Sequence, residues 1–158
     1  MERREQRKSN TTRNRSAPSR IGFAGPFSDS NFGDYAMIVN NILDLKSPPT
    51  TLFSYDTAFL DRPCRRYLPD ADIRMFRMEI LEDALSRYPS DYPLTPPELQ
   101  ALAVDWAGLR TAVSDLSAFV VNGGGYFNDL WAMPHRLPRL LSIMLPALAA
   151  CEEGVPVF

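Results

Sequence analysis

The sequence predicts an α/β protein, a three-layer Rossmann-like domain built on a parallel sheet. Three observations carry this expectation. Short β-rich apolar runs alternate with segments whose apolar residues recur at three- and four-residue spacing. Loops rich in Gly, Asn and Asp follow two of those β-rich runs. The chain has 158 residues, room for one domain with a core of its own.

Each element follows from its residues. Residues 1–19 repeat no apolar position and are dominated by Ser, Asn, Thr and Arg, so they are expected to be a disordered basic tail. The domain is expected over 20–158. Arg20-Ile21-Gly22-Phe23-Ala24-Gly25 reads as the first strand, and Tyr35 to Leu43 carries helical spacing. Pro48-Pro49 ends that helix, and Thr51 to Asp56 reads as the second strand. Residues 60–70, with Arg62, Arg65 and Arg66 clustered, read as loop. Asp72 to Met78 reads as a third short strand, with helix as the rival. Glu79 to Tyr88 has a helical pattern. A further helix is expected from Pro97-Glu98 through Leu99, Leu102, Val104, Trp106 and Leu109 toward Val113. Phe119-Val120-Val121 is the strand before three glycines, and Leu137 to Ala149 is a helix with Pro138 near its start. Val155-Pro156-Val157-Phe158 reads as the opening of another strand, which leads to the expectation of a truncated chain.

Charge and composition narrow the function classes. Residues 1–20 hold seven Lys or Arg against two acids, within a chain of formal net charge −2. The folded part is therefore acidic, which argues against a nucleic-acid groove. The basic start is not followed by the apolar stretch of a signal peptide. No run has the length and apolarity of a membrane span. Cys64 and Cys151 form neither a disulfide framework nor a metal motif, and His135 is the single histidine. These features point to a cytoplasmic setting, with no metal and no cofactor called for.

Two loops carry the candidate chemistry. The first runs from Gly25 through Asn31-Phe32-Gly33-Asp34 into a helix. Its glycines permit unusual backbone angles, and the helix start offers free N–H groups to an anion. It lacks the Gly-Lys-Ser/Thr ending of a Walker loop and the G-x-G-x-x-G dinucleotide spacing. A capped helix after a long turn is the simpler account. The second loop is Asn122-Gly123-Gly124-Gly125-Tyr126-Phe127-Asn128-Asp129. A tight turn needs one or two glycines, whereas three in a row suit a ligand lying on bare amides, with Asn128 and Asp129 as side-chain acceptors. In an open parallel sheet, ligands bind beyond the carboxyl ends of strands where the strand order switches. The two loops flank one crevice if the strand ending at Val121 neighbours the first.

In order and spacing, Gly22 and Gly25, then Asn31-Phe32-Gly33-Asp34, then Gly123-Gly124-Gly125 with Asp129, resemble the polysaccharide pyruvyl transferase family. The resemblance covers most of residues 20–158, the amino-terminal half of a typical member. It implies one half of a two-domain, GT-B-like glycosyltransferase fold. It implies transfer of a pyruvyl group from phosphoenolpyruvate to a sugar of a polysaccharide, or of its lipid-linked or nucleotide-linked precursor, giving a ketal. Gly25, Asn31, Gly33, Asp34, Gly123, Gly124, Gly125, Asn128 and Asp129 are then the substrate-binding candidates. The family's donor-binding and catalytic residues lie mainly in its carboxy-terminal half, so none is expected here, and this chain alone is expected to be inactive. His135 does not match the family's histidine. The Pro26–Ser30 stretch, the basic start and the insertion around Tyr88 to Pro97 depart from the pattern. A sugar-nucleotide glycosyltransferase half and a non-catalytic glycan-binding fragment remain alternatives.

Overall fold

The structure is a computed structural model that describes residues 19–25, 32–88, 93–123, 133 and 135–158. Its elements are β1 (Arg20–Ala24), α1 (Phe32–Asp44), β2 (Thr50–Ser54), α2 (Thr57–Tyr67), β3 (Ile73–Arg77), α3 (Glu82–Leu85), α4 (Pro96–Ala101), α5 (Trp106–Ser114), β4 (Leu116–Val121) and α6 (Leu137–Glu152). The four strands form one parallel sheet in the order β3-β2-β1-β4. The expected tail falls outside the described residues except for Ser19.

Strand alternation divides the core into two layers. Phe23 and Leu52 pack with Ile38 and Ile42 of α1 and with Leu60 and Cys64 of α2. On the opposite face, Ala24, Phe53 and Phe119 join Leu109 and Val113 of α5 and Leu141, Leu145 and Ala149 of α6. The result is a three-layer, Rossmann-like α/β fold.

The second layer is organised by three rings. Phe53 lies 5.5 Å from Phe76, its register partner on β3, and 5.5 Å from Phe119 on β4, measured between centroids. The contact between Phe53 and Phe119 crosses β1, which lies between their strands. It is possible because β1 presents Gly22 and Ala24 on that face. A Cβ on Gly22 would stand 2.5 Å from Leu116 Cδ1 and 2.9 Å from Phe119 Cδ2. Leu116 reaches the same layer as Phe119 because the β1–β4 register shifts between Arg20 and Ile21.

At the amino ends of the strands, Arg20 is a buried tie. Its guanidinium donates to the Thr50 carbonyl at 2.7 Å and to Asp72 Oδ2 at 2.5 Å. Ser117 Oγ donates to the Arg20 carbonyl at 3.1 Å.

Several local expectations are corrected. Residues 60–70 are not a loop, because α2 covers most of them. The Asp56 side chain caps it by accepting from Phe59 N at 3.3 Å, and Leu60, Cys64 and Leu68 form a buried stripe four residues apart. Arg62, Arg65 and Arg66 lie exposed, and Pro63 is accommodated within the helix. The helix expected over 79–88 is reduced to α3, and the one expected over 97–113 is split into α4 and α5. One feature explains both changes. Ile80 and Ala103 form an antiparallel bridge, with Leu81 N donating to Leu102 O at 2.8 Å and Val104 N to Glu79 O at 3.0 Å. Those backbone groups are thereby withdrawn from helical bonding. Asp105 then starts α5 afresh, accepting from Gly108 N at 2.8 Å. Val155–Phe158 forms an isolated parallel bridge, Phe119 to Val157, on the side of β4 away from β1.

Gly22→Ala should lower the free energy of unfolding by about 1–3 kcal/mol through overpacking. The same substitution in a Leu116→Ala background should cost less, because the nearest opposing atom is gone. Urea denaturation of the four proteins checks this, and an equal cost in both backgrounds would place the strain elsewhere. Both cysteines are free, Cys64 buried and Cys151 exposed. Burial, with Asp61 adding to it, pushes the Cys64 thiol up to about 11. An aromatic disulfide reagent at neutral pH should therefore label Cys151 in the folded protein and Cys64 only after unfolding.

Candidate functional site

The strand order creates a switch point. β1 continues into α1 on one face of the sheet, and β4 leads to α6 on the other. β1 and β4 are adjacent and parallel, with Ala24 opposite Val121, so their carboxyl ends leave the sheet at one level. Such a divergence of neighbouring connections is where open α/β sheets form a ligand crevice.

The ends of the two strands are pinned closely together. Asn122 N donates to Ala24 O at 2.6 Å. Gly25 is buried, and a Cβ there would meet Asn122 O at 2.5 Å. This glycine is thus required by the backbone-to-backbone approach of the two strand ends. Gly123 has φ of 90°, in the region that glycine tolerates best.

Gly33 and Asp34 lie in the first turn of α1, Gly33 exposed and Asp34 buried. A carboxylate there complements the positive end of the helix. Asn31, Gly124, Gly125, Asn128 and Asp129 lie outside the described residues. The structure therefore brings Gly25, Gly33, Asp34 and Gly123 to one edge of the sheet.

Two features at this edge were missed in the sequence. Asn41 Nδ2 donates to Asn122 Oδ1 at 2.5 Å, tying α1 to the end of β4. Asp34, Ile38 and Asn41 share one helical stripe, and two polar residues on an otherwise core-facing stripe were the available signal. The second is Tyr55, just beyond β2, whose hydroxyl donates to Glu82 Oε1 at 2.5 Å. The hydrogen bond to Glu82 raises its pKa, burial and the Glu82 charge add to this, and Arg139 and Arg77 oppose it. Arg139 belongs to the first turn of α6, so charges from β3, α3 and α6 converge near the end of β2.

No group of three or more His, Cys, Asp or Glu suited to a metal ion occurs among the described residues, and no helix among them is long and apolar enough to cross a membrane. His135 is exposed, just before α6. No family model, curated protein or solved structure matches this chain. The fold is a generic Rossmann-like one, compatible with many nucleotide- or sugar-binding enzymes.

The Tyr55–Glu82 bond has a defined pH signature. The folded-state pKa of Tyr55 is raised above the ordinary 10.0, so its contribution to stability is complete below about pH 10. It is lost as pH rises through the raised value. Tyr55→Phe should flatten the stability profile in that alkaline window and leave it unchanged near neutrality apart from a constant offset. Denaturant midpoints across the window test this, and identical alkaline slopes in both proteins would rule out the linkage.

Proposed function

We propose that this chain forms the acceptor side of a polysaccharide pyruvyl transferase. The observation that carries the reading is the adjacency of β1 and β4. The two glycine-bearing loops that give the sequence its family resemblance leave the sheet side by side. Without that adjacency the motifs would be separate turns. With it, Gly25, Gly33, Asp34 and Gly123 share the edge of the sheet where β1 and β4 end, which supports reading the two motifs as parts of one site.

The chemistry needs such a crevice. Two hydroxyls of one sugar become bonded to C2 of phosphoenolpyruvate. The C2–O bond to phosphate breaks, and the enol methylene takes a proton to become a methyl group. One hydroxyl proton balances that methyl and the other leaves with inorganic phosphate. Holding the diol in register is the acceptor side's contribution, and it is largely a matter of pre-paid entropy. Bare amides and short polar side chains accept hydroxyls without steric demand. The carboxylates of Asp34 and Asp129 are the groups we assign to acceptor hydroxyls.

Gly124→Ala is the discriminating variant. On this reading it weakens calorimetric binding of a nucleotide-linked or lipid-linked sugar precursor by about tenfold or more, comparable to losing one well-placed polar contact, with little change in melting temperature. A protein that melts earlier yet binds equally well would reduce the three glycines to a turn. In the presence of phosphoenolpyruvate, the product to seek is a ketal with a matching release of inorganic phosphate, read by mass spectrometry.

A further inference from the structure

A concavity lies away from the switch point, at the carboxyl end of the edge strand β3. It has a volume of about 300 Å³, at the small end of the range for ligand pockets. The Ile80–Ala103 bridge builds it, by holding the 103–105 turn against the residues that leave β3. Phe76, Met78, Ala103 and Val104 supply apolar walls, and Arg77, Glu79 and Asp105 supply the polar groups.

The charges constrain what fits. Arg77 and Glu79 form a neutral pair, so an anion meets Glu79 and a cation meets Arg77, while the Asp105 carboxylate is taken up in capping α5 through Gly108 N. The Arg77–Glu79 pair is made between Nε and Oε1 at 3.2 Å, which leaves the terminal guanidinium nitrogens and Oε2 outside that contact. Guanidinium nitrogens only donate and carboxylate oxygens only accept. A ligand that satisfies both without net charge carries acceptors and donors side by side, and a hydroxyl supplies both in one group. The apolar walls ask for a compact body with an apolar face. These requirements meet in a pyranose ring.

We infer that this concavity is a neutral sugar subsite, binding one pyranose through Arg77 and Glu79 with Val104 against the ring. Its place at the same edge as the crevice, two strand spacings or about 10 Å from β1, suits a second unit of a saccharide held at the switch point. The inference rests on the sugar reading above for the kind of ligand, while the site itself rests on its own walls.

The test uses amide NMR of the 158-residue protein titrated with a neutral methyl pyranoside, a nucleoside and a sugar phosphate in parallel. The expected result is saturable shifts at Arg77, Glu79, Val104 and Asp105 with the pyranoside. Arg77→Met should weaken that binding by about tenfold, as expected for loss of a charge-assisted hydrogen bond. Val104→Trp, at a half-exposed turn position where folding should survive, should abolish it by filling the space. The inference is overturned if the pyranoside moves none of these amides, if the shifts persist in Val104→Trp, or if only the nucleoside or the phosphate produces them. Repeating the titration in Gly124→Ala separates the two sites. Binding retained there supports this subsite whatever becomes of the crevice, whereas binding lost there would show that the shifts report the crevice.

Discussion

The closeness of β1 to β4 is the constraint on which the rest of the fold depends. Two glycines make it possible, for different reasons. At Gly22 the missing side chain leaves space for Leu116 and Phe119, and lets Phe53 and Phe119 meet across β1. At Gly25 it lets the Asn122 carbonyl approach the backbone itself. Side chains at either point would push β4 outward, and the ring contact and the Asn122–Ala24 hydrogen bond would go together. An aromatic pair of this kind contributes about 0.5–1.5 kcal/mol beyond area burial. Its larger effect is to fix which strand neighbours which, and therefore where the switch point lies.

That dependence changes how the glycines read. In the sequence, Gly22 and Gly25 form a G-x-x-G pattern that invites a ligand. In the structure, both are accounted for by contacts within the protein. Gly123, with its positive φ, is where the chain leaves the sheet after β4. Gly22 and Gly25 therefore need no ligand to account for them. On α1, polar interest falls on Asp34 and Asn41, because they lie on the stripe that faces inward.

Legibility followed the range of the interactions involved. All four strands could be read, because each is a short apolar run bounded by Pro, Gly or polar residues, and the alternation with helices gave the parallel sheet. The missed helix, α2, depends on Asp56, which in sequence looks like the end of a strand. Its buried stripe of Leu60, Cys64 and Leu68 is thin beside three arginines and a proline. The break between α4 and α5 left one trace. Leu102, Val104 and Trp106 are spaced by two, which is not a helical period. Its cause, the pairing of Glu79–Leu81 with Leu102–Val104, joins segments more than twenty residues apart and has no local mark. The Asn41–Asn122 bond is hidden in the same way, since its two ends are separated by most of the domain.

The two edges of the sheet are built on opposite principles. At the amino ends, one buried arginine gathers three strands. Arg20 begins β1, bonds the carbonyl of Thr50 in β2, and pairs with Asp72 just before β3. Ser117 of β4 closes the set through the Arg20 carbonyl. Polar groups are matched there within the protein, and a ligand would have to break a charged, partly buried network to enter. At the carboxyl ends the ties include Asn122 to Ala24, Asn41 to Asn122, Met78 to Ser54 and Tyr55 to Glu82. Asn122 takes part in two of them and so links β1, β4 and α1. A sheet locked by charge at its amino ends keeps its core rigid while loops beyond the carboxyl ends of its strands can vary with ligand and chemistry. The charged lock at the amino ends, together with the switch in strand order between β1 and β4, is the physical reason to look for function at the carboxyl edge.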